Sequence, residues 1–176
     1  MVSRTDVANR AKFRLWGPAS SFGLVAALLT LALDQAHKYW MLDVYRIGER
    51  GRVEITPFFD LVMAWNKGVS YGLFPQQGSA GRLVLIVVSL IAVGGLFVWM
   101  ANSMTRFAAL SLGLIIGGAL GNLTDRLVYG AVADFFHFHV GDFSWYIFNV
   151  ADVAITAGVI GLILDWMRQP REQHTA

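Results

Sequence analysis

Asp134 and Asp152 sit at the outer ends of the third and fourth apolar stretches of a chain otherwise poor in charge. Holding an ionised carboxylate at membrane depth costs about 3 kcal/mol on insertion scales, so such residues call for a catalytic or proton-relay role. Two carboxylates held close cannot both ionise, and one keeps its proton, so the pair offers an acid and a base together. Such a pair can activate water against an amide. The base takes a proton from water as it attacks the carbonyl, and the acid protonates the oxyanion or the leaving nitrogen. Asn122 and Arg126, four residues apart, and Asn149, three before Asp152, share helix faces that can position chains beside the pair.

The elements that must carry these residues are membrane-spanning. The chain has 176 residues, 56% of them hydrophobic and 15% charged, with a mean hydropathy of +0.53; this is not the composition of a soluble globule. Stretches 15–33, 83–105 and 107–124 carry no charge, and 143–164 carries only Asp152, each long enough to cross a bilayer. The expectation is an integral membrane protein, mainly α, forming one domain. It has four transmembrane helices over 15–38, 82–104, 106–128 and 145–167, a cytoplasmic arm over 1–14, an outer sheet-bearing loop over 41–80 and an outer interfacial segment over 134–144.

Basic residues orient it. Arg4, Arg10, Lys12 and Arg14 precede the first span, Arg106 lies between the second and third, and Arg168 and Arg171 follow the fourth, while 128–143 has neither Lys nor Arg. Both termini are therefore placed in the cytoplasm. The basic residues of the first loop, Arg46, Arg50, Arg52 and Lys67, are the weakest part of that pattern. A cleaved secretory signal is the rival for the N-terminus, but Asp34-Gln35-Ala36-His37-Lys38 follows where a small-residue cleavage site belongs. The net charge of +2, scattered along the chain, excludes a nucleic-acid footprint, and the absence of cysteine excludes thiolate metal sites and a cysteine nucleophile.

Depth brings the polar residues together. At about 1.5 Å per residue from the inner basic anchors, Asp34, Asn122, Arg126, Asn149 and Asp152 all lie about 24–30 Å out, in one outer layer. Gly113, Gly117 and Gly121, with Gly118 beside them, and Gly158 and Gly161 in the fourth span allow the close helix approach that would unite them. Gly130, four residues before Asp134, offers the turn back to the interface. In the outer loop, Arg52-Val53-Glu54-Ile55-Thr56 alternates, Pro57 breaks it, and an aromatic run to Trp65 follows, which predicts a small sheet on the membrane surface. The aromatic residues between Asp134 and Asn149 belong at headgroup level.

Several polar residues have ordinary explanations. Asp34 with Lys38 forms an interfacial ion pair, Asp125-Arg126 can simply end the third helix, Asp142 is solvated, and Asp165 is structural near Arg168. His137 and His139, with one residue between them, suit a strand pair better than a metal, because no third ligand is evident. Ser70 with Lys67 makes a poor nucleophile pair in a turn, and no H-E-x-x-H occurs. Two rival functions stay open: a small proton-coupled transporter using the carboxylates as a relay, disfavoured by nearly bare inner halves of the spans, and a scaffold whose outer aromatic surface binds partners.

At these residues the chain resembles the lipoprotein signal peptidases, or signal peptidase II. Four ordered blocks carry the likeness: Asp34-Gln35 with Lys38; Asn66 and Gly68; Gly117-Gly118-Ala119-Leu120-Gly121-Asn122 with Asp125-Arg126, Gly130, Val132 and Asp134-Phe135; and Phe148-Asn149-Val150-Ala151-Asp152. The resemblance implies an aspartic endopeptidase of the bacterial cytoplasmic (inner) membrane. Such an enzyme removes signal peptides from prolipoproteins by cutting before a diacylglyceryl-modified cysteine, with its site on the outer face. It further implies Asp134 and Asp152 as the catalytic pair, Asn66, Gly68, Asn122, Arg126 and Asn149 around substrate, and Asp34 and Lys38 as stabilisers. No metal or cofactor is implied, and globomycin-type cyclic peptides are expected to block it. The implied fold has four transmembrane helices, a small extracytoplasmic β-sheet and a short interfacial helix, placed here after Asp134. Val69-Ser70-Tyr71 departs from the plainer apolar residues of many members.

Overall fold

The computed structural model describes residues 14–68, 79–103 and 105–168; the N-terminal arm, Val69-Ser70-Tyr71 and Arg171 lie outside the described residues. Helix α1 (Ser20–Tyr39) continues into a π-helical turn (Trp40–Val44) and a one-turn helix α2 (Ile47–Arg50). Strands β1 (Val53–Thr56) and β2 (Phe59–Asn66) follow, then α3 (Ser79–Ala101), α4 (Arg106–Val128), β3 (Val132–Val140), β4 (Phe143–Ser144) and α5 (Val150–Arg168). Helices α3, α4 and α5 are long and apolar enough to cross a membrane. Helix α1 is 20 residues long, but Asp34 and Lys38 occupy its final turns.

Helix α4 is the hub, packed on one side by α1 and on the other by α5. Its small residues make this possible. A Cβ at Gly117 would run into the backbone of Ala27 in α1, and one at Gly118 into the carbonyl of Ala151 in α5; both helices therefore touch α4 backbone to backbone, the approach that substitutes for hydrophobic drive in lipid. Helix α3 lies outermost, with Leu83, Val84, Val88, Leu90 and Ile91 more than half exposed. An apolar band of that size requires a lipid neighbour. At the N-terminal end of α4, Thr105 caps the helix by accepting from Ala108 N at 3.0 Å and donates to Asp165 Oδ1 at 2.9 Å, so Asp165 ties α5 to the start of α4.

The four strands form one antiparallel sheet in the order β1-β2-β3-β4. Strands β1 and β2 fall where alternation places them. The expected interfacial helix over 134–144 is corrected: Val132–Val140 is a strand, and Phe143–Ser144 turns back against its end. Gly130, at φ +80°, makes the turn out of α4, and β2 offers β3 a ladder from Asn66↔Val132 to Phe59↔Phe138. The pleat then sorts β3 by period two. Ala133 and Phe135 are fully buried against Met41 and Ile47, whereas Asp134 alternates to the other face; along the edge of β3, Phe148 forms a backbone bridge to Phe136. That bridge holds the chain extended up to Phe148, so α5 opens at Val150 instead of at 145.

Candidate active site

Asp152 enters through the capping of α5. Asn149 is the residue just before the helix; its Oδ1 accepts from Asp152 N at 3.0 Å, and its own backbone N–H donates to Asp152 Oδ2 at 3.3 Å. This reciprocal exchange satisfies two donors that a helix start leaves orphaned and fixes the Asp152 carboxylate in one place. Asn122 Nδ2, from α4, donates to Asp152 Oδ1 at 2.9 Å. Asp134 arrives from β3. Its Oδ1 accepts from Asn149 Nδ2 at 2.6 Å and its Oδ2 from Asn66 Nδ2 at 3.2 Å, a diagonal neighbour on β2. One asparagine, Asn149, thus binds both carboxylates.

A fully buried charge cluster supports this layer from behind. Lys38 Nζ lies 2.9 Å from Asp34 Oδ2, 2.7 Å from Asp125 Oδ2 and 3.1 Å from Asn122 Oδ1. Asp34 Oδ1 accepts from Ala151 N at 2.9 Å, and Asp125 Oδ2 from Ala133 N at 3.1 Å, so the two acids grip the chain immediately before Asp152 and Asp134. Gln35 Nε2 links both acids, at 3.1 Å each. Arg126 donates to Gly68 O at 2.9 Å and Asn122 O at 3.3 Å, while Gly68 N donates to Asn66 Oδ1 at 3.0 Å. That chain of bonds anchors the end of β2 over the site.

Burial pushes the Asp134 carboxyl up to about 7; the nearby charge of Asp152 adds to this, and the hydrogen bonds from Asn66 and Asn149 oppose it. A carboxyl poised there can hold a proton at neutral pH. Asn66, Asn122, Arg126 and Asp152 line a polar cavity of about 30 Å³, enough for one water. Two larger grooves flank the segment 143–147. One, about 600 Å³ and nearly all apolar, runs from Phe138 and Phe148 past Asp152 to Val153 and Ile160. The other, about 640 Å³, exposes Asp134, Asn66 and Gly68 beside Trp65 and Ile147.

All nine residues singled out in the sequence therefore fall in two adjoining layers: Asn66, Gly68, Asn122, Arg126, Asp134 and Asp152 line the cavity or the grooves with Asn149 joined to them from behind, and Asp34 and Lys38 lie beneath. Asp125, read as a helix terminator, belongs to the lower layer, as does Gln35. Metal-type donors gather elsewhere, at Asp60, His137 and His139.

Three helices apolar enough to cross a membrane, with a small sheet beside them, define a membrane protein in form. The family model for signal peptidase (SPase) II matches residues 26–168, and the chain belongs to that family of membrane proteases. The lipoprotein signal peptidase of Methylorubrum extorquens (strain PA1) is 56% identical over 154 residues, covering 87% of this chain and 90% of the relative. That of Nitrobacter hamburgensis (strain DSM 10229 / NCIMB 13809 / X14) is 54% identical over 153 residues, covering 84% and 93%. A solved bacterial membrane enzyme superposes with a TM-score of 0.72 at 26% identity, over 89% of this chain and 93% of that one.

Proposed function

We propose that the protein is an intramembrane aspartic endopeptidase of the bacterial inner membrane that removes the signal peptide from prolipoproteins by cutting before the diacylglyceryl-modified cysteine. The observation that carries this is the joining of Asp134 and Asp152 through Asn149 beside a water-sized polar cavity. Asp152 borders that cavity and acts as base; Asp134, with its raised pKa, keeps the proton and acts as acid. Water attacks the scissile carbonyl carbon as Asp152 accepts its proton, and Asp134 protonates the carbonyl oxygen. Collapse of the tetrahedral intermediate breaks the C–N bond: one of its hydroxyls returns its proton to Asp134, leaving a carboxyl on the signal peptide, and the proton held by Asp152 goes to the departing amine of the cysteine.

Asn66, Gly68, Asn122, Arg126 and Asn149 hold the acids and line the approach, and Asp34 and Lys38 stabilise the layer beneath. The apolar groove beside Asp152 suits hydrophobic signal residues or acyl chains. Helix α1 is the fourth span: Val25, Leu28, Leu29 and Leu33 expose an apolar stripe to lipid, and its charged residues are turned inward and paired. Both termini lie in the cytoplasm with the site on the outer face, and globomycin-type cyclic peptides compete for the same grooves. Cleavage of matched precursors with and without the diacylglyceryl group tests the substrate. Strong preference for the lipidated precursor supports it, and equal turnover of both defeats it.

A further inference from the structure

On the face of the sheet away from Asp134, the pleat assembles a second group of residues. His137 and His139 are two apart on β3 and so point the same way. Asp60 stands directly opposite His137 across the β2–β3 ladder. The three donor atoms lie within 4.8 Å of one another, with Asp60 Oδ2 at 3.4 Å from His137 Nδ1 and 2.8 Å from His139 Nε2. Donors around a tetrahedral zinc sit about 3.3 Å apart, given metal–ligand bonds of about 2.0–2.1 Å. The third ligand that the sequence did not reveal is supplied by the neighbouring strand.

Two further observations point to a cation. Asp60 is fully buried, and its Oδ1 has no hydrogen-bond partner among the described residues, an orphaned acceptor of the kind that calls for explanation. His137 Nε2 lies 2.7 Å from Ser144 Oγ, which orients the ring and leaves Nδ1 turned to Asp60. Arg52 now neutralises the carboxylate, with Nη2 at 2.7 Å from Asp60 Oδ2 and 3.1 Å from His139 Nε2, but its side chain is half-exposed and reaches in from the rim of the sheet. It is free to swing out when a metal takes its place.

We propose that Asp60, His137 and His139 form a binding site for a zinc-type divalent cation that clamps β2 to β3 and takes no part in the peptidase chemistry, although His139 also borders the apolar groove. Two imidazoles and a carboxylate suit zinc among the common metals, and thiolates are not required. The full-length protein in detergent, stripped of metal, is titrated with Zn²⁺ alone, following bound metal and thermal unfolding. The expected result is one Zn²⁺ per chain, with a dissociation constant on the order of micromolar and a rise in Tm of about 5 °C at saturating metal. His137→Ala weakens binding by at least tenfold and abolishes the Tm rise, with precursor cleavage intact. Arg52→Gln, which removes the competing cation, tightens it several-fold. Absence of saturable binding in the native protein, undiminished binding in His137→Ala, or weaker binding in Arg52→Gln overturns the proposal without bearing on the peptidase.

Discussion

The amide of Asn149 lies 2.6 Å from Asp134 Oδ1 while the rest of the same residue caps the helix that carries Asp152. Strand and helix are thereby locked at the point that holds both acids. Asn149→Ala removes the cap, the bridge and a fully buried amide at once. It leaves Asp134 short of a donor, at a stability cost of about 1–3 kcal/mol, and lowers kcat by about 100-fold or more, because the two carboxylates lose their common reference. Single-turnover cleavage and thermal unfolding of the purified variant measure the two effects separately.

Among the described residues, Lys38 is the one cation between Asp34 and Asp125, and all three side chains are buried. Lys38→Met leaves two carboxylates without their counter-charge in a place water does not reach, which destabilises by about 3–5 kcal/mol. Asp125→Asn, which keeps the shape and one acidic partner, costs less. Comparing the unfolding of the two variants in one detergent checks that order.

Packing at α4 controls the position of Asp152 from a distance. A Cβ at Gly118 meets Ala151 O, one residue before Asp152. Gly118→Val forces α5 outward and drags the acid off its bond from Asn122, so activity falls by about 100-fold while insertion in the membrane is retained. Val substituted at Gly94, where a Cβ meets nothing, leaves activity within about twofold of native, as expected for an exposed helix position. Cleavage assays on both variants at equal protein levels make the comparison.

Asp134 sets a pH limit. Its folded pKa of about 7 lies above the ordinary 3.8, so the folded state binds this proton more tightly than the unfolded one. The resulting stability is present in full below about pH 4 and is lost as pH rises through about 7. Activity, which needs the protonated form, falls about tenfold per pH unit above that value. A pH–rate profile with a descending limb near 7 and a Tm that declines from pH 4 to 7, both altered in Asp134→Asn, are the expected results.

Much of this arrangement can be read from residue types. Asp134, Asp152, Asn122 and Asn149 stand out because polar residues at one depth of an apolar chain have few reasons to be there, and the small residues of α4 announce close packing. What escaped the sequence depends on distant partners. The interfacial helix after Asp134 is an expectation of the family resemblance, whereas the spacing of His137 and His139 already suggests a strand; β2, which pairs with these residues, lies some seventy positions earlier. Asp125 looks like a terminator until Lys38 and Ala133 are seen around it. One signal was available: Asn149 and Asp152, three apart, are the signature of a capped helix start, and they mark α5 as opening at Val150.

The central claim is that Asp134 and Asp152 together perform the hydrolysis. Its most direct test is the rate at which Asp134→Asn and Asp152→Asn, each confirmed folded by thermal unfolding, release the signal peptide from a diacylglyceryl-modified precursor. The account predicts a loss of about 1,000-fold or more in each variant, with no further loss in the double variant. Cleavage within about tenfold of the native rate by either folded single variant would contradict it.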